Sequence, residues 1–137
     1  MNGDLTLEVK TAIYAICIGD QTLVNLIAKR VYTFVPQQTL FPYIRIGVIV
    51  GGDGGTKTSP GQTLTVPFDV FSREKGDLEL DKIMRRIINL FHEKEPKIEA
   101  GVVSICRFIS STIQQDSDGI TRHGVVRFRM NVYEDNP

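Results

Sequence analysis

The sequence has few of the side chains that bind metals or form covalent intermediates: its 137 residues include two cysteines, two histidines and no tryptophan. Cys17 and Cys106 lie far apart in apolar surroundings, which predicts two buried, reduced thiols and leaves a disulfide between them as the alternative. His92 and His123 stand at no spacing from the cysteines that suits zinc. We therefore expect no metal site and no cofactor.

Long hydrophobic runs and net charge are also absent. No apolar run approaches the ~20 residues of a membrane-spanning helix, and the polar start MNGDLTLEVK is unlike a signal peptide. Sixteen basic residues balance sixteen acidic ones, so no net charge attracts the chain to nucleic acid or to an anionic membrane. We expect a soluble cytoplasmic protein without a membrane partner, folded as a single domain over residues 1–137.

Apolar residues recur with helical spacing in three stretches. The pattern predicts a helix over residues 5–19, a shorter one over 21–31 and a strongly amphipathic one over 76–96. Alternation of apolar and polar residues predicts four strands, over residues 43–50, 63–71, 100–113 and 122–135. We therefore predict an α+β domain in the order α-β-β-α-β-β. Its sheet is mostly antiparallel and four-stranded, made of two hairpins, with two main helices packed on one face.

The glycine-rich stretch GGDGGTKTSPG, residues 51–61, is the segment that suggests phosphate binding. A Walker A loop requires a lysine directly after its last glycine and a helix that starts there. Here Gly55 is followed by Thr56 before Lys57, and the next predicted element is a strand. We therefore predict a long hairpin loop, in which glycine adopts unusual turns at low steric cost. Pro67, in the strand that follows, predicts an edge strand or a bulge because it cannot donate a ladder hydrogen bond.

No set of residues has the pattern of a catalytic site. Ser104, Ser110 and Ser111 have no histidine placed to act as their base and no nucleophile-elbow motif around them. The acidic groups have structural explanations: DLELD lies at a helix start, and DSDG lies in a turn and lacks the terminal glutamate of a calcium loop. The sequence favours a protein that is not an enzyme.

Charged side chains are predicted to share the polar face of the sheet. They are Arg45, Asp69, Arg107, Arg127 and Arg129. This prediction requires Cys106 and Phe108 to point to the core. The neighbouring Ile105 and Ile109 favour the opposite register. One interpretation is a solvated face with cross-strand Arg–Asp pairs, and the other is a face that meets another subunit or passing nucleic acid.

Five segments follow one another along nearly the whole chain: AIYAICIGDQTLVNLIAKRVY, FPYIRIG, VPFDVFSREKGDLELDKIMRRI, GVVSICRFISS and GITRHGVVRFRMNVYED. Together they resemble the tail completion or tail terminator proteins of long-tailed bacteriophages and gene transfer agents. In that family an aromatic-Pro-Tyr strand starts the sheet, an aspartate-bearing strand leads into a helix, and an arginine-bearing strand ends in an aromatic residue and an acid. At those places stand Phe41-Pro42-Tyr43, Asp69, Arg127 and Tyr133-Glu134. The glycine-rich loop is longer here than is usual in the family.

The resemblance implies a structural virion protein without catalytic residues. It implies a ring, a homohexamer, at the head-proximal end of the tail, where the ring stops growth of the tail tube and joins the tail to the head. The implied partners are copies of the chain itself, the major tail tube protein and the head–tail connector or stopper protein, with DNA passing through the ring without specific binding. Partner contacts are then expected in the glycine-rich loop and in the 114–121 turn: Gly51, Gly52, Asp53, Gly54, Gly55, Thr56, Lys57, Thr58, Asp116 and Asp118.

Three alternatives stay open. A neck or connector protein on the head side, or a minor tail-tube protein, would act in the same setting. A small hydrolase would require His92 or His123 to pair with a nucleophile in a cleft. A small ligand-binding module would require a convergent set of polar groups, which the sequence does not offer.

Overall fold

The computed structural model describes residues 5–54 and 61–135. In these residues the elements are α1 (Thr6–Ile18), α2 (Gln21–Ile27), β1 (Val31–Tyr32), β2 (Tyr43–Ile46), β3 (Val50–Asp53), β4 (Gly61–Ser72), α3 (Leu78–Phe91), β5 (Lys97–Ile98), β6 (Gly101–Gln115) and β7 (Arg122–Glu134). The strands form one sheet in the order β1-β2-β4-β7-β6-β5, and β3 also pairs with β4.

The α+β class is confirmed and most strand pairs are antiparallel as predicted, but the prediction of a simple four-stranded sheet made of two hairpins is wrong. Within the described residues the sheet has seven strands and is mixed, because β1 runs parallel to β2. β1 and β5 are two residues long, too short to show alternation in the sequence. The strand predicted over residues 43–50 is divided into β2 and β3, which pair with different parts of β4.

Pro67 explains where this division falls. β4 is an interior strand, paired with β7 on one side and with β2 and β3 on the other, so the prediction of an edge strand is wrong. The Pro67 carbonyl accepts the N–H of Gly47 at 2.9 Å, and the proline nitrogen on the same side of the strand has no hydrogen to donate in return. The ladder is therefore interrupted between β2 and β3. A side chain at Gly47 would come within 2.8 Å of the Pro67 ring, so this close approach requires glycine.

β6 and β7 form a long antiparallel hairpin in which two bulges interrupt the alternation of β6. Shifts in register leave Ser104 and Ile109 each as an extra residue. Between them Cys106 is fully buried and Phe108 packs against the core, while Arg107 is exposed. The bulges are the reason why alternation alone favoured two registers for this strand.

The buried residues of all three helices join one face of the sheet in a single apolar core. α3 is amphipathic as predicted, and Ile88 on it is half-buried. Its buried residues are Leu80, Ile83, Met84, Ile87 and Phe91. The Phe91 ring centroid lies 5.0 Å from that of Phe68 and 5.9 Å from that of Phe128. These contacts hold α3 against β4 and β7, at the centre of the sheet.

Asp20 connects the short helix α2 to α3. Its carboxylate accepts the N–H of Leu23 at 2.9 Å and thereby caps the N-terminus of α2. Nε of Arg86 donates to the same carboxylate at 2.8 Å. The bond from Arg86, together with the cap bond, holds the pKa of Asp20 below its ordinary value.

Both cysteines, Cys17 and Cys106, are buried and free, so the alternative of a disulfide is wrong. Burial raises the pKa of each thiol to about 12. A thiol that stays protonated is a poor nucleophile, and these two act as small apolar side chains in the core.

Candidate functional site

The face of the sheet without helices brings together the five charged residues predicted to share it. Arg45 in β2 lies opposite Asp69 in β4, and Arg129 in β7 lies opposite Arg107 in β6. Arg127 precedes Arg129 by two residues and therefore points to the same side. The pairing of β4 with β7 joins the two groups on one surface, which we call the helix-free face.

Asp69 is nearly enclosed on the helix-free face, with 6% of its surface exposed. Arg45 donates to Oδ2 of Asp69 from Nη2 at 2.8 Å and from Nε at 3.1 Å. Nε2 of His123 lies 3.0 Å from Oδ1. Because both carboxylate oxygens have partners, the charge is compensated and β2, β4 and β7 are tied together. His123 was missed as a member of this face, although it precedes Arg127 by an even number of residues, the signal that would have placed it there.

Aromatic rings continue the helix-free face beyond Asp69. Tyr43 stacks on Phe71 with ring centroids 4.9 Å apart, and Phe71 stacks on His123 at 4.4 Å. Phe41 lies 5.1 Å from Tyr43, and the Arg73 guanidinium lies 4.2 Å from the centre of the Phe41 ring. Burial raises the pKa of the Tyr43 phenol. The aromatic-Pro-Tyr motif therefore fixes the start of β2 against β4 and β7.

Three arginines of the helix-free face have no counter-charge among residues 5–54 and 61–135. Arg107, Arg127 and Arg129 form no ion pair with any residue in the described part of the chain. Arg107 and Arg129 stand directly opposite each other, and like charges in that position disfavour the folded chain by roughly 0.2–1 kcal/mol. Their guanidinium groups are thus available to carboxylates or phosphates of a partner.

β3 occupies the first part of the segment predicted as a glycine-rich loop. Gly51, Gly52 and Asp53 pair with β4, and Gly61 is the first residue of β4, so the prediction of a loop is wrong for these four residues. Pairing with a strong neighbouring strand outweighs the low strand propensity of glycine. β3 is exposed along its length, and Gly54 follows it directly. Outside the described residues lie Gly55, Thr56, Lys57 and Thr58.

The turn between β6 and β7 is built around Asp118. Its carboxylate accepts the Thr121 hydroxyl at 2.6 Å and the N–H groups of Thr121 and Ile120, both at 2.8 Å. These bonds, that of the hydroxyl first, lower the pKa of Asp118 to about 2. Asp116 donates its N–H to the Thr121 carbonyl at 2.8 Å. Asp118 is exposed and Asp116 half-buried, so the turn presents a fixed shape with the carboxylate of Asp118 at its surface.

Both histidines are engaged in contacts that hold the fold. Nδ1 of His92 accepts the N–H of Phe108 at 3.0 Å, which joins the end of α3 to β6, and His123 bonds Asp69. Within residues 5–54 and 61–135 no group of three or more His, Cys, Asp and Glu side chains is placed to hold a metal ion. Across the same residues no helix has the length and apolar character needed to cross a bilayer. The unpaired arginines and exposed strands are features suited to contacts with other macromolecules.

Comparison with known proteins agrees with the family resemblance found in the sequence. The family model described as Tail completion protein gp17 matches residues 11–133. The tail completion protein gp17 of Bacillus phage SPP1 is 25% identical over 92 residues, which cover 67% of this chain and 68% of that protein. A chain in the virion of a native gene transfer agent particle has a TM-score of 0.88 at 18% identity, covering 94% of this chain and 97% of that chain, so the two share a fold. The resemblance is thus confirmed.

Proposed function

The chain belongs to the tail completion protein gp17 family, and from this premise we propose that it is a tail terminator. It is a structural protein of a virion tail. Copies of it form a ring at the head-proximal end of a long tail, where the ring stops growth of the tail tube and joins the tail to the head connector. The observation that carries the proposal is the family match over residues 11–133, which includes the whole sheet except the last residue of β7.

The proposed ring is a homohexamer whose other partners are the major tail tube protein and the head–tail connector or stopper protein. Arg45 and Asp69 hold the helix-free face together, and Arg107, Arg127 and Arg129 supply contacts to a neighbour or line the channel. The balance of sixteen basic and sixteen acidic residues supports passage of DNA, because each additional phosphate contact would retain it.

Contacts with partners are proposed at two further places. One is β3 with Gly54, where the exposed backbone lets another chain approach closely. The other is the β6–β7 turn, where Asp118 offers its carboxylate and Asp116 helps to fix the backbone. Both places project from strands of the sheet, so their positions relative to the helix-free face are set by the ladder.

The test of this proposal is the phenotype of particles assembled without the chain. Deletion of its gene is expected to give tails that are overlong or unfinished and that carry no heads, and expression of the chain in trans is expected to restore complete particles. Electron micrographs of lysates provide the measurement. Free heads beside complete tails of normal length would contradict the terminator and assign the chain to the neck.

A further inference from the structure

Strand β6 has one side that faces away from β7, and about half of this side is not covered by any other described segment of the chain. On the side away from β7, β6 is covered at its start by β5. It is covered next by the segment that follows α3. Cys106 accepts the N–H of Glu93 and donates its own N–H to the Lys94 carbonyl, and the Phe108 N–H donates to Nδ1 of His92. From residue 109 to residue 115 no strand in the described part of the chain pairs with this side of β6.

The sequence of this edge lacks the devices that keep a solvent-exposed edge from pairing. Residues 109–115 are ISSTIQQ, without a charge, a proline or a glycine, and Ile109 and Ile113 are 41% and 39% exposed. Edge strands that face water are usually protected by lysine, proline or a covering segment. A neutral run of this kind with β-branched residues pairs readily with another strand. An edge left in this state is best explained by a strand that covers it in the assembled protein.

A second open edge lies on the opposite side of the sheet. Among residues 5–54 and 61–135 the strand that pairs with β3 is β4, and all four residues of β3 are exposed. Val50 is 65% exposed, and Val48 just before β3 is 84% exposed. A Cβ added at Gly52 would meet no atom within 4 Å in the described chain, so no internal contact requires glycine there. Glycine weakens a strand and commonly marks the close approach of another backbone.

We propose that the open edge of β6, residues 109–115, pairs with β3 of the next copy of this chain, so that the sheet continues from one subunit to the next. The two edges lie on opposite sides of one sheet, and a contact between different surfaces of identical chains generates a ring when its rotation closes. β3 and β7 both run antiparallel to β4, and β6 runs antiparallel to β7. β3 and β6 therefore point in opposite directions, as antiparallel pairing between neighbouring copies requires. β3 lies beside the first half of β4 and residues 109–115 of β6 lie towards the level of its second half, so a ring closed by this contact has strands tilted against its axis, as in a closed barrel. The inference rests on the proposed ring and names the contact that closes it.

Cross-linking of single-cysteine variants tests the contact. Thr112 and Val50 both stand on the helix-free side of their strands, across from Val125 and Thr65. The native Cys17 and Cys106 are buried and do not compete for reagent. With a short bismaleimide, a mixture of Thr112→Cys and Val50→Cys proteins is expected to form dimers, and the double variant a ladder up to the full ring. Neither single variant alone is expected to cross-link, and a dimer of Thr112→Cys with itself would overturn the proposal in favour of a two-fold β6 pair.

A charge placed on the open edge provides the second test. Ile113→Lys is expected to weaken association of subunits at least tenfold, roughly the effect of 1.4 kcal/mol. The matched control is Val102→Lys, an exposed position on the same strand where β5 already covers the edge. It is expected to assemble as the wild type does. Sedimentation velocity measures both, and circular dichroism verifies that each variant is folded.

The outcomes of these experiments distinguish a failure of the proposed edge pairing from a failure of the proposed terminator function. Wild-type rings that persist in Ile113→Lys and give no Thr112–Val50 cross-link would overturn the edge pairing and leave the terminator intact. A wild-type chain that never forms a ring, with or without the tube, would overturn the proposed function itself and the edge pairing with it.

Discussion

Asp69 illustrates how a single carboxylate organises the helix-free face. It is buried although no helix covers it, because Arg45 and His123 reach its two oxygens from neighbouring strands. Arg129 is the contrasting case on the same face, since it is exposed, stands opposite Arg107 and forms no ion pair with the part of the chain that the structure describes. The first arrangement stabilises the subunit, whereas the second favours association with a partner.

The contrast predicts that two substitutions change the free energy of unfolding by different amounts. Asp69→Ala is expected to lower the free energy of unfolding by about 2 kcal/mol, because Arg45 and His123 lose their shared acceptor. Arg129→Thr, the control on the same face, is expected to leave it unchanged within about 0.5 kcal/mol or to raise it, because a like-charge pair is removed. Urea denaturation measures both. A loss from Arg129→Thr equal to that from Asp69→Ala would contradict this description of the face.

Among the elements, α2 depends most on its surroundings. With seven residues it is too short to be stable in isolation. It is held by the buried side chains of Leu23 and Ile27 and by Asp20, which caps it and pairs with Arg86 of α3. Because the pKa of Asp20 is lowered by Arg86, the contribution of the carboxylate is present above the unfolded-state pKa of about 3.9 and is lost as the pH falls through that value towards the folded-state pKa.

Two substitutions of Asp20 distinguish the contribution of the helix cap to stability from that of the ion pair with Arg86. Asp20→Ala is expected to lower the free energy of unfolding by about 2 kcal/mol at pH 7, and Asp20→Asn by about 1 kcal/mol, because asparagine still caps a helix. The difference between the wild type and Asp20→Asn is expected to shrink below about pH 4, where Asp20 of the unfolded wild type becomes protonated before that of the folded protein. Thermal unfolding between pH 3 and pH 7 provides the measurement, and a difference that does not change with pH would exclude the ion pair as its source.

The sequence predicted best those elements in which the apolar residues of the sequence pattern are also the residues buried in the fold. α3, β4 and β7 show one uninterrupted period, and each lies where that period places it. β3 has the composition of a loop, and only its pairing with β4 makes it a strand. In β6 the bulges at Ser104 and Ile109 shift the alternation of buried and exposed residues. The alternation in the sequence therefore did not predict how this strand lies in the sheet.

At the scale of the whole molecule, the subunit is a two-layer structure whose helices cover one face of a sheet that has open edges on both sides. The paired charges at Asp69 and the aromatic rings beside it make the other face rigid within the subunit. In the proposed ring, the arginines without an ion pair in the described residues and the edges of β3 and β6 contact neighbouring copies. A subunit that assembles into a ring requires both kinds of group: some that bind one another within the subunit and others that bind a neighbouring copy.

The molecular mass of the wild-type chain in solution, measured by native mass spectrometry over a range of concentrations and matched to electron micrographs, tests the ring itself. We expect single subunits to give way to one closed species of six copies, seen as rings of uniform diameter that bind the end of purified tail tubes. A chain that remains a single subunit at every concentration, and that leaves the tube ends bare, would contradict the assignment as a terminator.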